Sequence, residues 1–291
     1  MKKYEVDIDE QFGHRALNPV PSIDELNEFY ARQYYESMKG TNGQMERFIN
    51  HGDECIEELA WLQKTEYNDA YLIFKEYFNE ANFLDIGCGT GEIIEFMNNK
   101  GFKTVGIEPS EIAYNKMKEK KIEAYNCDLY KFYEITTKKF DIINMTNVME
   151  HMPNPVETLR ICKNLLKDKG IIRIKVPNDF NELQLNVVEK LKVPKYWVSI
   201  PDHVSYFDFK SLEKLLVHEG FRIINKTVDF PMELFLLMGE NYVNDNAIGR
   251  SCHEKRKKLE LNLSDTLRRK MYSAFAEVGV GRNIIIYAVL G

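Results

Sequence analysis

No run of this 291-residue chain approaches the roughly 20 apolar residues that span a bilayer. Its opening, Met1-Lys2-Lys3-Tyr4-Glu5-Val6-Asp7, leads into charge rather than into an apolar stretch. A cytoplasmic protein without membrane insertion is therefore expected. Cysteine is scarce: Cys55, Cys88, Cys127, Cys162 and Cys252 are odd in number and widely scattered. That suits reduced thiols better than a disulfide framework or a zinc site, and no metal is expected. Positive charge is not in excess either, with 39 Lys and Arg against 45 Asp and Glu and a formal net charge of -6. Broad attachment to nucleic acid draws on many cationic contacts to phosphate, so it is not expected, although a small anionic ligand still is allowed. Internal repeats and low-complexity segments are absent too. The length suits one enlarged domain or a domain with a substantial appendage.

Residues up to about 20 show no clear period. Pro21-Ser22-Ile23-Asp24-Glu25 then places a capping box, Ser22 with Glu25, ahead of a helical pattern carrying Phe29, Tyr30, Tyr34 and Tyr35. Beyond a loop with Gly43 and Gly52, the residues Leu59, Leu62, Tyr67, Tyr71, Phe74 and Phe78 recur at roughly helical spacing. Residues 1–80 thus read as an N-terminal helical cap. From residue 82 short apolar strands alternate with helices, the pattern of a parallel sheet covered on both faces. The strands are expected at 83–86, 104–107, 122–125, 140–144 and 171–176, with Gly101 and Gly170 as helix C-caps. This is an α/β, doubly wound core over residues 81–230. Two more strands, 221–228 and 283–289, flank a segment too long for a hairpin loop. The apolar run 231–238 and the charged stretch 255–270 make residues 231–282 a helical insertion, a candidate surface for pairing two copies of the chain. Residues 283–291 return as the last core strand.

The strand ending in Asp85 runs into Gly87, Gly89 and Gly91 and then a helix with Ile93, Ile94 and Met97. Glycine lacks a Cβ, so this loop lets backbone approach a flat ligand closely. Its place after the first strand of a wound sheet puts it where ligand crevices lie, beyond the strand C-termini. A dinucleotide fingerprint spaces its glycines G-x-G-x-x-G, whereas the spacing here is G-x-G-x-G. The loop also offers Asp85 and Glu92 and no Lys or Arg between Asp85 and Asn99, which opposes a pyrophosphate and suits a sulfonium and an ammonium group. Glu108 ends the second strand in Val105-Gly106-Ile107-Glu108-Pro109, where its carboxylate can accept hydrogen bonds from both hydroxyls of a ribose. Asp128 follows the third strand, placed to accept from an adenine amino group with Leu129 against the ring. Either carboxylate alone reads equally well as an exposed strand end; it is their joint placement after successive strands that points to a nucleoside.

In these motifs the sequence resembles the Rossmann-like, class I S-adenosylmethionine-dependent methyltransferases. The resemblance covers residues 80–228 and resumes at the final strand. It is carried by Phe83-Leu84-Asp85-Ile86-Gly87-Cys88-Gly89-Thr90-Gly91, by 105–109, by Cys127-Asp128-Leu129 and by 140–152. It implies a seven-stranded sheet of order 3-2-1-4-5-7-6 with the last strand antiparallel, and S-adenosylmethionine as cofactor. It also implies cofactor contacts from Asp85, Gly87, Gly89, Gly91, Glu108, Pro109, Asp128, Leu129 and Asn147. The terminal hairpin of the family is interrupted here by the insertion.

Methyl transfer from a sulfonium needs alignment, and a base only where the acceptor must lose a proton. His151, just past the fourth strand in Asn147-Val148-Met149-Glu150-His151, and His203, in Ile200-Pro201-Asp202-His203, are the candidate bases. His151 reads equally well as a loop fastener, and His203 has Asp202 to orient it. His14 and Arg15 are a weaker pair of polar candidates. Tyr34 and Tyr35, with Tyr30, are candidates for a lid over the cofactor, or simply for packing. Arg250 and His253 begin a basic cluster in the insertion that either meets an anionic acceptor or is solvated, the commoner fate of such runs. The Asn144-Met145-Thr146-Asn147-Val148 stretch lacks the Pro-Pro-aromatic pattern of base-amine methylation, and no Pro-Cys pair suggests a covalent cytosine intermediate; a small-molecule acceptor is expected. Residues 26–35, 201–207 and 233–242 are similar to methyltransferases of surface-polysaccharide pathways. That likeness implies O-methylation of a sugar, a nucleotide-activated sugar or a phosphoramidate-type group. A non-catalytic cofactor-binding protein and an NAD(P)-dependent oxidoreductase are the alternatives.

Overall fold

The chain opens on strands rather than on the expected helices. The computed structural model describes residues 4–22, 25, 26, 29, 53–243 and 245–291. In chain order the elements are β1 (Glu5–Ile8), β2 (Arg15–Asn18), α1 (Asp53–Lys64), α2 (Glu66–Lys75), β3 (Asn82–Ile86), α3 (Glu92–Asn99), β4 (Lys103–Ile107) and α4 (Glu111–Glu119). Next come β5 (Ala124–Tyr125), α5 (Leu129–Ile135), β6 (Phe140–Thr146), a 3-10 turn (Met149–His151), α6 (Pro155–Leu165), β7 (Leu166–Pro177) and α7 (Glu182–Leu191). The chain closes with β8 (Ser205–Tyr206), α8 (Phe209–His218), β9 (Phe221–Val228), α9 (Glu233–Leu237), α10 (Asn246–Asn262), α11 (Asp265–Val278) and β10 (Asn283–Leu290).

Seven strands form one sheet in the order β5-β4-β3-β6-β7-β10-β9. Counted within the sheet, this is 3-2-1-4-5-7-6. β10 runs antiparallel to both neighbours, and the pairs among β3 to β7 are parallel. β7 shows how the residues build the layers. Ile172, Ile174 and Val176 point to one face and join Leu129, Phe132, Leu159, Cys162, Leu212 and Leu215 in the core. Alternate residues point the other way, where Ile171 joins Ala70, Phe74, Ile93, Phe96 and Met97. Each fully buried side chain of this size contributes about 1.5–3 kcal/mol, so both helical layers are anchored by the strand period itself.

Three departures from the sequence reading have local causes. β1 and β2 pair as an antiparallel hairpin, and β2 then pairs with β8 through Arg15↔Tyr206 and Ala16↔Ser205, a second, three-stranded sheet. Strands of four residues are too short for an alternation to register. β7 starts well before its expected position, so Gly170 sits inside a strand and not at a helix end. A Cβ there would lie 2.8 Å from Leu166 Cδ2 and 2.9 Å from the Lys167 carbonyl oxygen. The third departure is the insertion's charge. Arg256, Lys257, Glu260 and Arg268 are buried and paired rather than solvated. Glu260 accepts hydrogen bonds from Trp61 Nε1 (2.7 Å), Arg256 Nε (3.0 Å) and the Tyr272 hydroxyl, and Arg268 Nη2 meets Asp69 at 2.9 Å. These contacts fasten α10 and α11 onto α1 and α2.

The capping box forms, with Ser22 N–H donating to Glu25 Oε2 (2.9 Å) and Glu25 N–H to Ser22 Oγ (3.2 Å). Tyr30, Tyr34 and Tyr35 lie outside the described residues. Among the described residues no helix is long and apolar enough to cross a membrane, and Cys88, Cys127, Cys162 and Cys252 are free thiols.

Candidate active site

The glycine loop is shaped by what surrounds it. Gly87 (φ +66°) has Val148 against it, so that an added Cβ would fall 2.5 Å from Val148 Cγ2. At Gly91 (φ +84°), the N-cap of α3, a Cβ would fall 2.9 Å from Ile122 Cδ1. Gly89 (φ +55°) differs: a Cβ there meets no protein atom within 4 Å. Its backbone conformation disfavours a side chain, and its open side faces the crevice. Gly106, overlooked in the sequence, supports the loop from β4, since a Cβ on it would strike Cys88 Sγ and Ile94 Cδ1 at 2.6 Å.

A cavity of about 250 Å³ lies against this loop, lined among others by Glu66, Tyr67, Asp85, Gly87, Gly89 and Ser110. Glu108, outside that lining, ties two of its residues together, Oε2 accepting from Gly89 N–H and Oε1 from Ser110 N–H, both at 2.9 Å. Burial pushes the Glu108 carboxyl up, against the pull of those two backbone donors. Asp85 is fully buried at the end of β3. Burial raises it to about 7, opposed by the Asn144 hydrogen bond (2.6 Å) and the Arg173 charge and reinforced by Glu108 and Glu92. The loop is less acidic than its own residues imply, because Lys120 reaches in from α4, 3.2 Å from the Thr90 carbonyl and 3.3 Å from Glu95.

Other expected cofactor residues stand outside the cavity lining. Asp128 is exposed and N-caps α5, its Oδ1 accepting from Lys131 N–H at 2.8 Å. Leu129 is 2% exposed, its side chain enclosed in the core, so the ring packing expected of it is not available as folded. Pro109 is exposed with its carbonyl held by Asn126 (2.9 Å), and Asn147 turns the chain after β6 at φ +52°.

At the same end of the sheet the two histidines meet. Val148, packed on Gly87, leads into the 3-10 turn that carries Glu150 and His151. Val204 N–H donates to the Glu150 carbonyl (2.8 Å), and Leu17 N–H to the Val204 carbonyl (2.9 Å). The N-terminal hairpin thereby clasps the His203 loop onto the turn. The imidazoles of His151 and His203 are 5.1 Å apart in an edge-to-face arrangement. His151 Nδ1 donates to the Asp202 carbonyl oxygen at 2.8 Å. Burial opposes its charge, yet Asp202 and Glu150 hold it at about 9. That suits the fastening role rather than a base. His203 is driven down to about 4, first by burial and then by His151.

Around them lie groups the sequence reading passed over. Glu150, Asp179 and Glu233 are carboxyls that burial pushes up, Asp179 further by the charges of the other two, and each has one oxygen lacking a partner among the described residues. Phe180, Trp197, Tyr196, Tyr206 and Tyr242 form a chain of ring contacts with His203, at 5.1–6.5 Å. These side chains come from four separated segments, so no spacing announces them. His14 and Arg15 are structural here, stacked on Phe207 (5.1 Å) and Phe180 (4.0 Å). His253 is bonded to Glu58 (2.9 Å) and docks α10 on α1, while Arg250 is exposed on the same helix. Neither joins the histidine cluster, because α10 is spent on packing.

Comparison with known families places residues 60–226 in a single family model, described as a methyltransferase domain. The chain belongs to the methyltransferase domain family. Among similar proteins, an uncharacterized protein of Methanocaldococcus jannaschii is 29% identical over 59% of this chain and 76% of its own. A ubiquinone biosynthesis O-methyltransferase of Glaesserella parasuis is 37% identical over 33% of this chain, a match that spans only 44% of that enzyme. The SAM dependent methyltransferase of Archaeoglobus fulgidus shares the fold, with TM-score 0.52 and 21% identity over 78% of this chain and 94% of that one. Neither relative is named for a surface-polysaccharide pathway.

The cofactor that the sequence motifs imply is S-adenosylmethionine. The site fits it: an open, Cβ-free face at Gly89, a fixed carboxylate at Glu108, and acidic walls at Glu66, Asp85 and Glu92 for a cationic ligand. The family excludes the oxidoreductase reading. A larger cavity, about 320 Å³, lies between the insertion and the β9–β10 edge and shares Glu66 with the first. Among its walls, Arg173, Arg256 and Arg268 are paired with Glu66, Glu260 and Asp69, so they present no uncompensated charge to an anion.

Proposed function

We propose that the methyltransferase O-methylates a small, neutral acceptor held beside His203 and His151. The observation that carries this is the pair of buried atoms without a partner among the described residues, His203 Nδ1 and Glu150 Oε2, at the end of β6 next to the cofactor loop. Buried polar atoms ordinarily find partners, so their orphaned state, on a turn that Val148 packs against Gly87, supports a polar ligand group there. The aromatic side chains from Phe180 to Tyr242 suit a ring-shaped acceptor. The anionic acceptor suggested by the basic insertion is disfavoured, because Arg256 and Lys257 are engaged in packing, Arg250 and His253 stand apart from the histidine cluster, and Glu150, Asp179 and Glu233 surround that cluster with acid.

When bound, S-adenosylmethionine supplies an electrophilic methyl on a cationic sulfur. Gly87 and Gly89 would hold it against the loop, Glu108 would take its ribose hydroxyls, and Asp128 would reach the adenine edge from β5. Asp202 and the clasped loop orient His203 toward the acceptor oxygen. The relative named for ubiquinone biosynthesis supports an oxygen acceptor. The experiment is transfer of isotope-labelled methyl to a panel of phenols, sugars, nucleotide-activated sugars and phosphoramidates. Turnover on a hydroxyl compound is expected; cofactor binding with no transfer across the panel would overturn the proposal.

The raised Asp85 carboxyl makes cofactor binding pH-dependent. Facing Asp85 are Asn144 and Arg173 from β6 and β7, Glu108 from β4 and Glu92 from α3. Deprotonation through about pH 7 adds a negative charge beside a cationic ligand. S-adenosylmethionine affinity is therefore expected to rise severalfold between pH 6 and pH 8 by calorimetry, and Asp85→Asn to flatten that rise. The sign for stability is opposite. A folded pKa above the ordinary value means the contribution of Asp85 is present in acid and lost as pH rises through about 7, so cofactor-free Asp85→Asn melts higher than the parent at pH 8.

A further inference from the structure

Glu150, His151 and His203 each present one ligand-type atom, and these three atoms lie within 4.8 Å of one another. We propose that they form a binding site for a divalent transition-metal ion of the Zn²⁺ or Co²⁺ class, open toward the acceptor. The first support is the arrangement behind the donors. A carbonyl oxygen only accepts, so the 2.8 Å contact to Asp202 places the proton of His151 on Nδ1. Its Nε2, 3.9 Å from Glu150 Oε1, is then the nitrogen left to bind an ion, which displaces its proton. His203 Nε2 stands 4.0 Å from Asp202 Oδ2. Asp202 thus holds the His151 imidazole through its carbonyl, the outer-shell arrangement that orients a metal-binding histidine, and sets its carboxylate near His203.

The second support is independent of the first. Glu150 is 1% exposed, and its Oε2 is buried with no partner among the described residues, as is His203 Nδ1. A carboxylate oxygen left so and, with the His203 proton on the Nε2 that faces Asp202, an imidazole nitrogen left so both offer an electron pair to an acceptor. Metal–ligand bonds of about 2.0–2.2 Å set neighbouring donors roughly 3–3.6 Å apart, reachable from the present positions by small side-chain rotations. Two nitrogens and one oxygen select a transition metal over Mg²⁺ or Ca²⁺, which take oxygen ligands. The backbone is already held by the Val204–Glu150, Leu17–Val204 and His203–Ser199 (2.9 Å) hydrogen bonds. The imidazoles keep 24% and 19% of their side-chain surface exposed, so a ligand reaches the ion.

Three protein donors leave coordination positions open, as catalytic sites do. In this role the inference rests on the acceptor reading above. An acceptor hydroxyl binds the ion and releases its proton to water. Its oxygen then bonds to the methyl carbon while the carbon–sulfur pair stays on sulfur, giving the methyl ether and S-adenosylhomocysteine. A cation here also neutralises the acidic wall of Glu150, Asp179 and Glu233. The expectation of no metal rested on cysteine spacing, which is silent about ligands drawn from separate loops.

The test is titration of the chelator-treated full chain with Co²⁺, without cofactor or acceptor, followed by visible ligand-field absorption and metal analysis. One equivalent is expected, displaced by Zn²⁺. Glu150→Gln and His203→Ala should each weaken uptake at least tenfold while retaining S-adenosylhomocysteine binding, which reports their folding. No stoichiometric uptake by the wild type, or unchanged uptake in a folded variant of either residue, overturns the site. Metal uptake without methyl transfer would sink only the proposed function, and methyl transfer by a protein that takes up no metal would sink only this inference.

Discussion

His203→Ala is expected to lower methyl transfer by about 100-fold or more, the range for losing a group that acts on the acceptor, with S-adenosylhomocysteine affinity changed by less than about threefold. The split follows from position. His203 lies on the loop clasped by β2 and faces the turn at Glu150, whereas the cofactor residues Asp85, Gly87 and Gly89 line a separate cavity. His151 is held by the Asp202 carbonyl at 2.8 Å, and its replacement should disturb the loop as well as the chemistry. Single-turnover rates with labelled cofactor, alongside calorimetry, read the two effects separately. A His203→Ala protein that turns over at the wild-type rate would remove the residue from the acceptor side.

Arg173→Met is expected to cost about 3–5 kcal/mol of folding stability, the range for breaking a buried pair from one side. Arg173 is fully buried in β7 and donates to Asn144 Oδ1 (2.8 Å), Thr146 Oγ1 (2.9 Å), Tyr287 Oη (3.2 Å) and Glu66 Oε1 (2.8 Å). Asn144 in turn holds Asp85, so the loss reaches the cofactor loop. On the other side Glu66 also meets Lys175 (2.6 Å), which lies 3.6 Å from Asp229, itself 3.6 Å from Arg256. One chain of charges therefore links the glycine loop to the insertion. Burial alone would raise Glu66, but Lys175 and Arg173 hold it at about 2. Its contribution to stability is present above its ordinary value of 4.5 and lost as pH falls toward 2. Urea midpoints at pH 7 should drop in Arg173→Met, and acid unfolding should begin at higher pH. An unchanged midpoint would show that the network carries no stability.

The core was legible because its signals are local. The strands ending in Asp85 and Glu108 lie within a residue or two of their expected positions, and the spacing of Gly87, Gly89 and Gly91 separates this loop from a dinucleotide site. Where contacts are distant the signals vanish. The short strands β1 and β2 have no period of their own, and β2 acquires its second partner only when β8 arrives. Arg256, Lys257 and Arg268 read as a solvated charge run because their partners Glu58, Asp69 and Asp229 are far along the chain. Lys120 is equally invisible beside a loop whose own residues are acidic.

By itself, then, the sequence determined the wound sheet, the glycine loop and the methyltransferase family. Those depend on strand period, glycine backbone freedom and carboxylates at strand ends, all written within a few residues of one another. Only the tertiary structure brought together the histidine cluster on which the acceptor proposal rests. It set His203 against His151 and Glu150, left two of their polar atoms buried without a partner among the described residues, and turned Arg256, Lys257 and Arg268 of the insertion inward. Those outcomes depend on burial and on pairing across the chain, and neither has a period or a spacing to read.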